Sequence, residues 1–227
     1  MSPDERPAGA SASGIRVILF DVGGVLVEVS GIAAILEWLE HRVTAEDVWR
    51  FWFGSPAVRA FETGRMGAAQ FASELLGELD LHVTPEQFLA AFVSWPARLY
   101  PGVMELLSRI PSGYTRALLS NSNALHWPRV MDDLGLGAAF EHRFASHLTG
   151  RIKPDTDAFQ HALEILRCSP EEVFFLDDSE VNVAAAHRLG MRAARVRGAI
   201  EAERALVREG LIAASGEARL HSGGHAP

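Results

Sequence analysis

The chain has 227 residues, of which 48% are hydrophobic and 22% are charged, so it can bury a sizeable core in one or two domains. Its net charge of −8 excludes a generally basic surface and argues against a nucleic acid or an anionic membrane as partner. Cys168 is the single cysteine, which excludes an intramolecular disulfide and a thiolate metal cluster and is typical of a reducing cytoplasm.

Both ends of the chain have a polar, flexible composition. Residues 1–14 are rich in Pro, Ser, Ala and Gly and lack the long apolar segment of a signal peptide or a membrane span. Residues 215–227 are similar. We therefore expect a disordered tail at 1–14, a flexible tail at 215–227, and a cytoplasmic protein.

Short apolar runs that are typical of buried strands recur between the tails, at 15–20, 114–119, 141–145, 173–176 and 193–196. Segments with helical spacing of apolar residues separate them, at 101–109, 124–134, 155–166 and 181–189. This alternation predicts an α/β fold, a Rossmann-like parallel sheet with right-handed crossovers. We expect residues 15–27 and 100–214 to form this core.

The stretch 28–99 interrupts the alternation and has an almost wholly helical pattern, with helices predicted at 32–40, 46–53, 68–79 and 85–93. Thr44 and Thr84 are typical N-caps, and Pro85 suits a first helical position. A connection of this length does not stay unstructured in a compact domain. The pattern therefore predicts a helical subdomain inserted after the first strand.

Polar side chains follow four of the predicted strands. They are Asp21 with Gly23 and Gly24, then Ser120 and Asn121, then Lys153, and then Asp177 and Asp178. In a parallel sheet the carboxyl ends of the strands share one crevice, so we expect these residues to converge.

The convergent set predicts phosphoryl chemistry. Adjacent carboxylates repel unless a divalent cation takes up their charge, and oxygen ligands suit Mg²⁺, whose site Asp21 would complete. A carboxylate in this position can attack a phosphoryl group, with Lys153 and Mg²⁺ neutralising its oxygens. Ser120, Asn121, Lys153 and the loop amides of Gly23 and Gly24 are then expected to hold the phosphate.

Taken in order, four motifs resemble those of the haloacid dehalogenase-like (HAD) hydrolase superfamily: FDVGGVL at 20–26, LSN at 119–121, KP at 153–154 and FLDDS at 175–179. The resemblance implies an aspartyl-phosphate on Asp21, with Asp178 as a direct metal ligand, Asp177 as an indirect one, and Gly23 contributing its carbonyl oxygen. It also implies that 28–99 is a C1 cap over the active site.

Asn182 falls where the family often has a supporting acid or amide, although a surface helix position explains it equally well. The stretch LSNSNALHWP at 119–128 is similar to bacterial sugar-phosphate phosphatases of the glucose-1-phosphatase type.

Gly23 departs from the family pattern, because most related phosphatases have a second aspartate there that acts as general acid and base. Three interpretations stay open. The substrate has a good leaving group, another residue such as Glu62, His41 or His126 carries the proton, or catalysis is lost and the protein binds or regulates.

The preferred hypothesis is a magnesium-dependent phosphatase acting on a small phosphorylated metabolite. The alternatives are a metal-independent 2-haloacid dehalogenase and a non-catalytic protein with the same fold. The acid pair Asp177 and Asp178 argues against the dehalogenase, since a cation-free site would repel an anionic haloacid. The sequence does not indicate the oligomeric state.

Overall fold

The computed structural model describes residues 14–214; apart from Gly14, the two predicted tails lie outside this range. The strands in this range are β1 (Val17–Phe20), β2 (Val27–Val29), β3 (Pro96–Leu99), β4 (Thr115–Ser120), β5 (His142–Ala145), β6 (Val173–Asp177) and β7 (Arg192–Arg195). Five of them form a parallel sheet in the order β5-β4-β1-β6-β7. These are the five strands that the sequence predicts, and the predicted α/β sheet is confirmed.

Five helices lie between β2 and β3: α1 (Gly31–Trp38), α2 (Ala45–Gly54), α3 (Pro56–Glu62), α4 (Ala68–Leu79) and α5 (Pro85–Phe92). Thr44 and Thr84 are the N-caps of α2 and α5, as predicted, and each forms a capping box. The sequence did not predict α3, which begins with a Ser55 cap and Pro56 at its first position. The sequence also missed the antiparallel pair of β2 and β3, which joins the two ends of this helical region.

The remaining helices are α6 (Val103–Arg109), α7 (His126–Pro128), α8 (Ser146–Thr149), α9 (Thr156–Leu166), α10 (Glu180–Arg188) and α11 (Gly198–Arg208). Helices α6 and α11 pack on one face of the sheet, and α9 and α10 pack on the other. The helix predicted at 124–134 is instead the short α7 followed by a π-helical turn, Arg129–Asp133. The sequence did not predict α8 or α11.

Successive residues of β1 point to opposite faces of the sheet and so belong to two different cores. Ile18 and Phe20 pack in a cluster with apolar residues of α6 and α11. Val17 and Leu19 pack with residues of α9 and α10. The central strand is therefore buried on both sides, as expected for a doubly covered parallel sheet.

Helices α1 to α5 have an apolar core of their own, rich in phenylalanine and tryptophan side chains. Phe61 and Phe71 stack with their ring centroids 4.2 Å apart, and Phe88, Phe92 and Trp95 are buried beside them. The helices thus form a second packed unit above β2 and β3. Within 14–214, every helix is too short or too polar to cross a membrane.

Candidate active site

Polar side chains lie where three adjacent strands of the parallel sheet end. Asp21 directly follows β1, Ser120 is the last residue of β4, and Asp177 is the last residue of β6. The backbone N–H of Asp21 donates to the carbonyl oxygen of Leu176 at 2.8 Å, which continues the pairing of β1 with β6. Because β1 lies between β4 and β6, these three positions converge at one edge of the sheet.

Lys153 reaches this edge from the loop before α9. Its Nζ lies 2.8 Å from Asp21 Oδ1 and 2.7 Å from Asp177 Oδ2, and its side chain is 1% exposed. Burial alone lowers the pKa of Lys153, but the charges of Asp177 and Asp21 outweigh this effect and raise the pKa above its ordinary value. Lys153 is therefore a buried ammonium that bridges the two carboxylates.

Asp177 is fully buried, and both of its oxygens accept hydrogen bonds. Oδ1 accepts from the backbone N–H of Ser179 at 2.8 Å, and Oδ2 accepts from Lys153. Asn182 Nδ2 lies 3.0 and 3.1 Å from the two oxygens and donates to them. Asn182, which the sequence left between a supporting and a surface role, supports the carboxylate that holds Lys153.

Asn121 fastens the Lys153 loop to the end of β4. Its Oδ1 accepts from the backbone N–H of Lys153, and its Nδ2 donates to the carbonyl oxygen of Lys153, both at 2.9 Å. Ser120 is buried, with its hydroxyl 3.4 Å from the carbonyl oxygen of Asn121. Phosphate contact by Ser120 and Asn121 stays a prediction, and Asn121 has this positioning role in addition.

Gly24 is a position where only glycine fits. Its φ is +77°, and a Cβ placed there would lie 2.1 Å from Asp178 Oδ2. The backbone N–H of Gly24 donates to the carbonyl oxygen of Val27 at 2.9 Å, so this N–H is already hydrogen-bonded within the turn. The predicted phosphate contact by the amides of this loop therefore rests on Gly23 rather than on Gly24.

Asp21, Asp177 and Asp178 each place one carboxylate oxygen within 4.8 Å of the others. Burial raises the pKa of Asp21 to about 7, the other two carboxylates add to this, and Lys153 opposes it. The pKa of Asp178 is also raised, by burial and then by Asp177. Such an excess of negative oxygen ligands fits a hard divalent cation such as Mg²⁺. Since Lys153, Ser179 and Asn182 already engage both oxygens of Asp177, Asp21 and Asp178 are the better placed direct ligands.

A cavity of about 200 Å³ opens over these residues, and the helical unit forms its other wall. Asp21, Lys153 and Asp178 line it from the sheet side. The part of the lining that residues 28–99 contribute consists of apolar and aromatic side chains and one carboxylate, among them Ile32, Trp49, Trp52, Phe53, Glu62 and Trp95. The site thus has a charged floor and a largely apolar roof.

Arg197 and Tyr100 also line the cavity, and the sequence reasoning missed both. The Arg197 guanidinium is hydrogen-bonded to the Tyr100 side chain and interacts electrostatically with Asp178. Arg197 follows β7, the fifth parallel strand. The strand-end rule that found Asp21 and Lys153 would have found it too, had it been applied to that strand.

The comparisons with known proteins agree with this architecture. The chain is 24% identical over 187 residues to phosphoglycolate phosphatase 1 of Pseudomonas aeruginosa, covering 79% of this chain and 68% of that protein. It is 26% identical to the (S)-2-haloacid dehalogenase of Xanthobacter autotrophicus, covering 86% and 79% respectively. A solved structure of a HAD family enzyme from Bacteroides thetaiotaomicron, in complex with magnesium and inorganic phosphate, has a TM-score of 0.67 and 25% identity, over 81% of this chain and 95% of that one. The sequence model of the haloacid dehalogenase-like hydrolases matches residues 15–190, and the chain belongs to this family.

Proposed function

We propose that this hydrolase is a magnesium-dependent phosphatase that acts on a small phosphorylated metabolite, with sugar phosphates as the first candidates. The observation that carries the proposal is the buried Asp21 carboxylate, 2.8 Å from the Lys153 ammonium and beside two further carboxylates. A phosphatase and a magnesium- and phosphate-bound enzyme among the similar proteins support it.

In this proposal Asp21 attacks the phosphorus atom, so that an aspartyl-phosphate bond forms as the ester P–O bond breaks. Lys153 offsets negative charge on the phosphoryl oxygens, and Ser120, Asn121 and the Gly23 amide orient them. Water then hydrolyses the aspartyl-phosphate and restores Asp21.

Asp21, Asp178 and the carbonyl oxygen of Gly23 would hold Mg²⁺, with Asp177 acting indirectly through Lys153. When bound, the ion supplies positive charge that compensates the carboxylates and the phosphoryl group. Residues 28–99 are proposed to act as a C1 cap, because their helices form the roof of the cavity. The single cysteine supports a cytoplasmic location.

The test is phosphate release from a panel of phosphate esters with Mg²⁺. We expect Asp21→Asn and EDTA each to abolish release, since one removes the nucleophile and the other the cation. Asp132→Asn, a control at an exposed residue that does not line the cavity, should keep full activity. Full activity of Asp21→Asn, or no release by the unmodified protein from any ester, would overturn the proposal.

The similarity to a haloacid dehalogenase makes carbon–halogen hydrolysis the second candidate. In that reaction an aspartate displaces halide without a metal, whereas the present site gathers three carboxylates around one lysine. Halide release from 2-chloropropionate in the presence of EDTA would favour the dehalogenase over the phosphatase.

A further inference from the structure

The proposed phosphatase reaction lacks a proton donor near Asp21, because glycine occupies position 23. The described residues offer three candidates named from the sequence: His41, His126 and Glu62. His41 is exposed and does not line the cavity. The structure therefore leaves His126 and Glu62 to be compared.

His126 lines the cavity, but both of its ring nitrogens are engaged. Nε2 donates to the carbonyl oxygen of Phe92 at 2.7 Å, and Nδ1 accepts from Asn123 Nδ2 at 3.1 Å. Burial lowers the pKa of His126 to about 4, so the ring is neutral. A neutral imidazole whose single N–H is bonded to the backbone has no proton to give to a substrate.

Glu62 ends helix α3 and faces the same cavity as Asp21 and Lys153. Its Oε1 accepts from Trp52 Nε1 at 3.4 Å, and the described residues give Oε2 no hydrogen bond. Burial raises the pKa of Glu62 to about 7, against the opposing effects of Trp52 and Lys153. One oxygen of a partly protonated carboxyl group is thus left for a ligand.

The end of α3 is held against the sheet domain at two places. Arg59, one turn before Glu62, forms an ion pair with Asp155, two residues after Lys153. Gly64, two residues after Glu62, packs so closely that a Cβ there would lie 2.5 Å from the carbonyl oxygen of His147. These contacts fix the segment that carries Glu62 over the floor of the site.

We propose that Glu62 is the general acid and base of this enzyme and replaces the carboxyl group that is missing at Gly23. The inference rests on the proposed phosphatase function. As the ester P–O bond breaks, the Glu62 carboxyl gives its proton to the leaving oxygen, which departs as an alcohol. The Glu62 carboxylate then takes a proton from the water that attacks the aspartyl-phosphate, so that phosphate leaves and Glu62 is protonated again.

The experiment compares first-turnover rates of Glu62→Gln on two esters. An alkyl phosphate such as glycerol phosphate needs a proton on its leaving oxygen, whereas 4-nitrophenolate leaves without one. We expect the first turnover of the alkyl ester to slow by about 10²-fold or more, and that of 4-nitrophenyl phosphate to change by less than about threefold. Later turnovers of 4-nitrophenyl phosphate should be slow, which produces a burst, because the second step has lost its base.

Glu37→Gln, an exposed substitution on α1, is the matched control and should leave both rates unchanged. The double variant Gly23→Asp with Glu62→Gln should regain first-turnover activity on the alkyl ester. A Cβ at Gly23 would lie 3.3 Å from Val29 Cγ2, which a small shift accommodates.

A second variant keeps the carboxyl group and changes its environment. In the unmodified enzyme the alkyl-ester kcat/KM should have a descending limb near pH 7, because Glu62 must be protonated to donate, whereas ionisation of the Asp21 nucleophile, whose pKa bound Mg²⁺ lowers, gives the ascending limb at lower pH. The charged side chains of the described residues that line the cavity with Glu62 are Asp21, Lys153, Asp178 and Arg197. Among them Lys153 acts on the pKa of Glu62, and the Trp52 ring N–H donates to Glu62. Trp52→Phe removes that donor and should move this limb of the profile to higher pH.

The outcomes separate the inference from the proposed function. If the unmodified protein releases phosphate from neither ester, the proposed phosphatase function fails. If it is active and a folded Glu62→Gln slows both first turnovers equally, or neither, the inference about Glu62 is wrong. An unchanged pH limb in Trp52→Phe would also overturn it.

Discussion

The contact between Gly24 and Asp178 gives a prediction whose size follows from the structure. A Cβ on Gly24 would lie 2.1 Å from Asp178 Oδ2, whereas ordinary contact begins near 3.4 Å, so Gly24→Ala must displace that carboxylate by roughly 1.3 Å. Displacements of about 1 Å in a catalytic group cost on the order of 100-fold in rate. We therefore expect a loss of that order in kcat/KM, together with weaker Mg²⁺ binding.

The backbone strain of this substitution can be measured apart from the clash. Gly210 also has positive φ, +69°, but a Cβ there meets nothing within 4 Å. Left-handed backbone costs a non-glycine residue about 1–2 kcal/mol, and the stiffer unfolded chain offsets about 0.4–1 kcal/mol of this. Gly210→Ala should thus lower the free energy of unfolding by about 1 kcal/mol and leave activity unchanged.

The assay combines urea unfolding with the Mg²⁺ concentration that gives half-maximal phosphate release. Gly24→Ala should be less stable than Gly210→Ala and should need more Mg²⁺. In an Asp178→Ala background the carboxylate is gone and only the Cβ of residue 178 remains, 3.2 Å from the added Cβ, so Gly24→Ala should there cost only a little more stability than Gly210→Ala. Equal effects of the two glycine substitutions in the unmodified background would refute the reasoning.

Two further predictions concern the groups that hold Asp177, and a third concerns His126 in the wall of the cavity. Lys153→Met leaves buried carboxylates without their cation and should lower the free energy of unfolding by about 3–5 kcal/mol in urea, whereas the exposed Arg16→Met control should lose less than about 1 kcal/mol. Asn182→Leu removes the amide donor to Asp177 and should cost about 1.5–3 kcal/mol in the same assay. His126 has a folded-state pKa of about 4, below its ordinary 6.5, so the stability it contributes is present above pH 6.5 and is lost as pH falls towards 4. His126→Asn should flatten the pH dependence of stability in that window, and an unchanged slope would contradict this.

The positions of Asp21, Ser120, Lys153 and Asp177 could be predicted because they depend on backbone topology. A run of apolar residues predicts a strand, alternation with helices predicts a parallel sheet, and parallel strands end at one edge. These steps need no knowledge of side-chain conformation. The sequence could therefore place the residues together, but it could not say that Lys153 bridges Asp21 and Asp177.

The partners of Asn121 show what strand-end reasoning leaves out. An amide after a strand fits a helix cap, a phosphate contact or a loop clamp equally well, and only the path of the Lys153 loop decides between them. Helix α3 is a different case, because its start signal, Ser55 followed by Pro56, was present in the sequence. Its neighbours α2 and α4 have longer and clearer apolar patterns. The seven residues of α3 were therefore predicted as part of the connection between those two helices.

The proposed function requires an acidic protein to bind a phosphate dianion, and the charges of the site offer a physical account of how it would do so. Asp21, Asp177 and Asp178 face a single buried ammonium, Lys153, and burial strengthens every one of these interactions. Such a floor repels anions unless a divalent cation compensates the carboxylates that Lys153 does not neutralise, with Arg197 as a further positive charge in the lining, so a net charge of −8 and a phosphate ligand are compatible. The roof contributes Glu62, a group that is neutral when protonated, together with apolar rings, so it adds no fixed charge that would disturb this balance.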